Sequence, residues 1–220
     1  MKRESGSYRP PDLSAFNPRE RQLIRRLHTP RLVQEFLRGL PYNFETTGKS
    51  CCSFRAVLER NCAHCLEGAL VAATVLEQHG HPPLLLSLES QDKLDHVLFV
   101  YRRGGLWGSV ARSRDPGLHG RKAVFRSIRQ LVFSYVDAYV DSTGRITGYG
   151  IGDLRILSHY DWRLSRKNVW KVENYLIEMP HKPLRSSDER YRRYLNKYLA
   201  FKKQFPEERP EYFTNRHQWL

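Results

Sequence analysis

Cys65-Leu66-Glu67-Gly68-Ala69-Leu70-Val71-Ala72-Ala73-Thr74-Val75-Leu76-Glu77-Gln78-His79 is the stretch on which the reading of this chain turns. Leu66, Ala69, Leu70, Ala72, Ala73, Val75 and Leu76 make it apolar over most of a helical circumference, so the helix must be covered on several sides. Gly80 follows as a natural C′ residue, and Pro82-Pro83 forbids continuation and releases the chain into an apolar strand, Leu84 to Leu88. The helix opens on a cysteine, and unpaired backbone N–H groups with the positive end of the helix dipole favour a thiolate there.

Upstream, Asn17-Pro18 and Thr29-Pro30 each pair an N-cap residue with proline at the first helical position. The first is followed by Leu23, Ile24 and Leu27, the second by Leu32, Val33, Phe36 and Leu37 up to Gly39. Ser53 can cap a short helix holding Phe54, Val57 and Leu58. Residues 1–16, with Gly6, Pro10 and Pro11 among polar side chains, are expected to be a mobile leader. Downstream, residues 95–102 and 106–112 form a hairpin around Gly104-Gly105, whose glycines supply the positive φ of a two-residue turn. That turn makes paired residue numbers sum to 209 and sets His96 opposite Ser113, with Asp115 diagonal to it on the same face. Residues 124–140 read as an amphipathic helix, 141–153 with four glycines as loop, and 167–178 as a helix ending before Pro180. Ser186-Ser187-Asp188-Glu189 is a capping box that opens a last helix to about Gln204, with a Tyr191, Tyr194, Leu195, Tyr198, Leu199 stripe. Helices around an antiparallel hairpin give an α+β class, divided into the leader, a domain over 17–180 and a helical extension over 181–220.

The 220 residues carry 37 Lys+Arg against 23 Asp+Glu, a formal charge of +14. Only residues 51–100, which hold all four cysteines and His96, are net negative. A chain of this length buries roughly 70% of its unfolded surface and needs no disulfide or metal staple. No apolar run reaches the ~18 residues of a membrane span. The first residues offer no signal-peptide core, so the expectation is a cytoplasmic protein with reduced thiols and no membrane partner. The basic surface is legitimate evidence for an anionic polymer such as nucleic acid, but no zinc-finger spacing, RNP-like strand or Gly-rich phosphate loop accompanies it. Its plainer reading is a solvated, Arg-rich surface.

Cys65 is the candidate nucleophile, His96 at the start of the next major strand its candidate base, and Asp115 the candidate orienter of the imidazole, with Ser113 as a substitute. Asp95 points to the opposite face of a regular strand. Backbone N–H groups at the helix start can receive an oxyanion. The bland alternative is an inert helix thiol and a satisfied strand histidine. Cys62-x-x-Cys65 also admits a structural zinc site with Cys51 or Cys52 and His64, or a redox pair. His64 is either near the cleft or a surface residue ahead of the helix. Glu67 complements the helix dipole, and Trp107 is either core or cleft wall.

Ala63-His64-Cys65-Leu66-Glu67-Gly68-Ala69-Leu70, Asp95-His96-Val97 and the Trp107-Gly108 strand, in that order, resemble the transglutaminase-like superfamily of papain-like thiol enzymes, in particular small bacterial members. There a Thr-Pro-Arg-x-Val-Gln-x-Phe-Leu segment (here Thr29 to Leu37) precedes the cysteine, and Gly-His-Pro-Pro-Leu-Leu-Leu (here Gly80 to Leu86) follows its helix. The resemblance covers about Thr29 to Asp153. It implies a papain-like core and amide hydrolysis or acyl transfer through a Cys65 thioester. His96 would take the thiol proton and return it to the leaving amine, with a peptide or protein amide as substrate and no metal or organic cofactor. In that family an Asp close behind the strand tryptophan completes the triad; here that place falls near Ala111, and Asp115 stands further along. A second class of reading is a catalytically silent domain that binds protein or nucleic acid through its basic faces.

Overall fold

A computed structural model describes residues 8–210 and 215–220. Among them, seven α-helices surround a six-stranded, wholly antiparallel sheet, an α+β fold. The early helices begin where the caps require. The Asn17 side chain accepts from Glu20 N ahead of α1 (Pro18–Arg26), Thr29 from Leu32 N ahead of α2 (Pro30–Gly39), and Ser53 from Ala56 N ahead of α3 (Phe54–Arg60). Helix α4 (Cys65–Glu77) is buried at every residue from Leu66 to Glu77. The sheet follows with β1 (Leu84–Ser90), β2 (His96–Arg103), β3 (Leu106–Val110), β4 (Arg121–Phe125), β5 (Ile146–Asp153) and β6 (Lys182–Pro183), in the spatial order β4-β3-β2-β1-β5-β6. Helices α5 (Ile128–Val136), α6 (Trp170–Glu178) and α7 (Asp188–Gln204) complete the chain. No described helix is long and apolar enough to cross a membrane.

Strand alternation divides the sheet into two faces. Leu85, Val97, Phe99, Tyr101 and Val110 pack with α2, α3 and α4 in one core, while Leu86, Leu88, Leu98 and Val100 pack with Leu131, Val132 and Tyr135 of α5 in another. The hairpin register is the one the two-glycine turn dictates: Phe99 pairs with Val110 and Arg103 with Leu106, and Gly104 and Gly105 take φ of 57° and 79°.

Four sequence expectations need correction. The β2–β3 ladder stops at Val110, so His96 pairs with Leu88 of β1 and not with Ser113. Beyond it, Pro116, which lacks an amide donor, starts a 3-10 turn over Pro116–Leu118. Residues 124 and 125, expected to open a helix, instead end strand β4 (Arg121–Phe125), and the helix begins only after its cap at Ser127.

The glycine-rich stretch 141–153, expected to be a loop, holds the eight-residue strand β5. Gly148, Gly150 and Gly152 occupy alternate positions, and a Cβ at Gly150 or Gly152 would lie within 2.8 Å of Met179 or Leu176. These glycines let α6 and the segment behind it lie directly on the strand. In the leader, residues 1–7 lie outside the described residues. From Tyr8 onward the segment is docked on the core: Phe16 is 1% exposed and Tyr8 donates to Glu77 at 2.5 Å.

Candidate functional site

The site forms where α4 begins and β2 begins. Cys65 is the first residue of α4 and half-buried, and His64 is its N-cap residue. Burial alone would raise the Cys65 thiol, but hydrogen bonds and charge from both His64 and His96 outweigh it and bring it down to about 5. The two imidazoles thus hold this thiol well below the ordinary cysteine range. Burial would likewise depress His64; its contacts with the Cys65 sulfur, Glu67 and the Ser50 carbonyl lift it instead to about 9. Burial, with the Cys65 charge adding to it, pushes the nearby phenols of Tyr42 and Tyr139 up, so both stay neutral.

Backbone carbonyls hold both imidazoles. His64 Nε2 lies 3.0 Å from Ser50 O, and His96 Nε2 lies 3.1 Å from Leu118 O. The loop that brings Leu118 to His96 is clamped at its ends. Buried Gln34 of α2 donates to Ala111 O and accepts from Ala111 N and Gly120 N, each at 2.9 Å. A Cβ at Gly120 would fall 2.3 Å from Gln34 Oε1, so that close approach needs glycine. Arg121, 1% exposed, donates to His119 O and Gly117 O, both at 2.6 Å, and stacks 4.2 Å over the Tyr135 ring. That ring stands 6.4 Å from the His96 ring.

Glu67 is fully buried. It accepts from His64 N at 3.0 Å, Asn43 Nδ2 at 3.0 Å, Ser50 Oγ at 2.8 Å and Cys52 N at 2.9 Å, and its Oε1 is 3.5 Å from His64 Nε2. Burial would raise this carboxyl, but His64 and these donors hold it below the ordinary carboxylate range. It does more than complement the helix dipole: it locks the Tyr42–Ser50 segment, the residue before α4 and Cys52 together.

Of the three residues singled out in the sequence, the structure brings Cys65 and His96 together; Asp115 lines the same cavity, but its carboxylate is engaged by arginines. The Asp115 carboxylate pairs with Arg114 and Arg209, each at 3.3 Å, and Ser113 Oγ accepts from Asp115 N. Asp95 is occupied too, accepting from Ser90 N at 2.9 Å. The group that orients His96 is the Leu118 carbonyl, which no side-chain pattern announces. His64, read in the sequence as either near the cleft or a surface residue, is at the cleft, and it forms a capping box with Glu67.

All four cysteines are free. Cys51 Sγ donates to Val169 O at 3.6 Å, and burial, then Glu67, push the Cys52 thiol up to about 12. The zinc set of Cys51 or Cys52, Cys62, His64 and Cys65 is not assembled: no group of three or more His, Cys, Asp or Glu side chains converges as a metal site among the described residues. Trp107 is half-buried under the Arg102 guanidinium, 5.3 Å from its ring, away from the cleft.

Cys65, His64 and His96 open into a cavity of about 400 Å³. Trp170 and Ile177 of α6 line it on the β5 side, and Ser113 and Arg114 on the β3 side. Tyr198 of α7 and Arg209 close it further, so the C-terminal extension is a wall of this cleft. No protein-family model matches the chain, and no curated protein matches it in sequence. The functional reading rests on these residues themselves.

Proposed function

We propose that this protein is a thiol acyl-transfer enzyme of the transglutaminase-like, papain-like kind, acting on peptide or protein amides through a Cys65 thioester. The observation that carries the reading is the Cys65 sulfur flanked by two imidazoles at the mouth of a 400 Å³ cleft, its thiol held well below the ordinary range. A thiolate is the nucleophilic form of cysteine, and an imidazole beside it can move the protons that the reaction needs. The thiolate attacks an amide carbonyl, and the developing oxyanion faces backbone N–H groups of the first turn of α4. Collapse breaks the C–N bond as an imidazolium protonates the departing amine. A second nucleophile, water or an amine, then attacks the thioester carbonyl and frees the sulfur. A carbonyl-oriented imidazole suffices here, because an orienting carboxylate improves such a site and does not create it.

A generic acyl donor tests this reading. Rapid mixing with p-nitrophenyl acetate should give a burst of nitrophenolate, and acid-quenched protein should carry an acetyl group on the Cys65 peptide that hydroxylamine removes. Cys65→Ala should lose both signals. A protein whose Cys65 alkylates readily but never acquires an acyl group would overturn the assignment.

A further inference from the structure

His64 and His96 flank one sulfur and are held alike but surrounded differently. Each presents Nε2 to a backbone carbonyl, at 3.0 Å from Ser50 O and 3.1 Å from Leu118 O. A carbonyl oxygen can only accept, so each neutral ring carries its proton on Nε2 and keeps Nδ1 to receive one from the sulfur. Only one of the two can take the single thiol proton.

The neighbours decide which. His64 has a fully buried carboxylate 3.5 Å from Nε2, and that carboxylate is fixed by four further donors. Among the described residues no carboxylate is ion-paired with His96: Asp95 is engaged by Ser90 N, and Asp115 by Arg114 and Arg209. The groups beside His96 are the neutral ring of Tyr135, kept uncharged by burial, and His119, which burial and the Arg112 charge push down to about 4. Around the sulfur itself stand the two imidazoles, the neutral phenols of Tyr42 and Tyr139 and, at 4.0 Å, the Asp95 carbonyl. A proton leaving Cys65 is therefore more stable on His64 than on His96.

Resting on the thiol-enzyme reading, we propose that the two histidines divide the reaction: His64, positioned by Glu67, holds the resting thiolate and protonates the leaving amine, and His96 stays neutral as the base for the acceptor. In the first half the sulfur–carbon bond forms, the C–N bond breaks, and the His64 Nδ1 proton goes to the amine. In the second half His96 Nδ1 takes a proton from water or an incoming amine as it attacks the thioester. Expulsion of the thiolate leaves the acyl product and a charged His96, whose proton passes to His64 and restores the starting state. Glu67 touches no reacting atom and is a positioning residue.

The test combines His64→Gln, whose amide can still donate to Ser50 O, with His96→Gln, both in the full chain with folding checked by thermal melts. At pH 6 alkylation of Cys65 by iodoacetamide should fall tenfold or more in His64→Gln, because the thiolate loses its partner, and change less than threefold in His96→Gln. With p-nitrophenyl acetate, His96→Gln should retain the burst and slow the steady state at least tenfold. Nitrogen NMR of the unmodified protein at pH 7 reads the assignment without any variant: His64 should be doubly protonated and His96 a neutral Nε2–H ring. The opposite pattern, or equal effects of the two variants, overturns the division. Intact alkylation differences with no burst in the unmodified protein would end the acyl-transfer reading, and the acceptor role of His96 with it, while the His64–thiolate pairing stands.

Discussion

Glu67→Gln changes one oxygen to an NH2 group inside a fully buried pocket where every neighbour is a donor. If the NH2 takes the Oε1 position, it meets Cys52 N–H and Ser50 Oγ; if it takes the Oε2 position, it meets His64 N–H and Asn43 Nδ2. Either way a buried backbone N–H loses its acceptor, which costs about 1–3 kcal/mol, and the surviving bonds lose their charge assistance. A total of about 2–4 kcal/mol is expected, visible as a lower urea midpoint at unchanged slope. His64 loses its anchor as well, so the pH midpoint of Cys65 alkylation should rise in the same variant. A stability loss below about 0.5 kcal/mol, the size of an ordinary surface change, would refute the role given to this carboxylate.

Asp115→Asn should leave Cys65 alkylation within about twofold, since that carboxylate faces two arginines; a tenfold fall would restore it as the orienter of His96. Gly68→Ala should destabilise although alanine is the better helix former by about 1 kcal/mol, because the new Cβ would sit 2.5 Å from Arg112 Cβ; a higher melting temperature would contradict that packing. His119 accepts from Gln34 at Nδ1 and faces Ser113 O with Nε2, so charging it sets two donors against each other. Its folded value near 4 lies below the unfolded one, so its contribution is full above about pH 6.5 and is lost as pH falls toward 4, about 3 kcal/mol in all. His119→Asn should flatten that acid limb of the stability curve, and an unchanged slope would count against the burial of a neutral ring.

Where structure follows from local chemistry, the sequence announces it. The Asn17, Thr29, Ser53 and Ser187 caps each start a helix because a side-chain oxygen meets an otherwise unpaired N–H. Gly104-Gly105 fixes the hairpin register because only a positive-φ pair closes it in two residues. The meeting of Cys65 and His96 is legible for the same reason, one residue opening a buried helix and the other a central strand. Tertiary demands are hidden. The alternate glycines of β5 look like a loop until α6 is seen to lie on them. The orienting atoms on both histidines are main-chain carbonyls, Ser50 O and Leu118 O, and carry no residue signature. The ladder ends at Val110, six residues before the 3-10 turn that Pro116 starts, so Asp115 is not held in register beside His96.

The central claim is that the Cys65 sulfur rests as an anion in an accessible cleft, and its alkylation rate across pH tests that most directly. Iodoacetamide labelling with peptide mapping should show Cys65 reacting well ahead of Cys51, Cys52 and Cys62, with a rate that rises through a midpoint near pH 5 and is level by pH 7. A rate that climbs only above pH 8, or equal slow labelling of all four thiols, would contradict it.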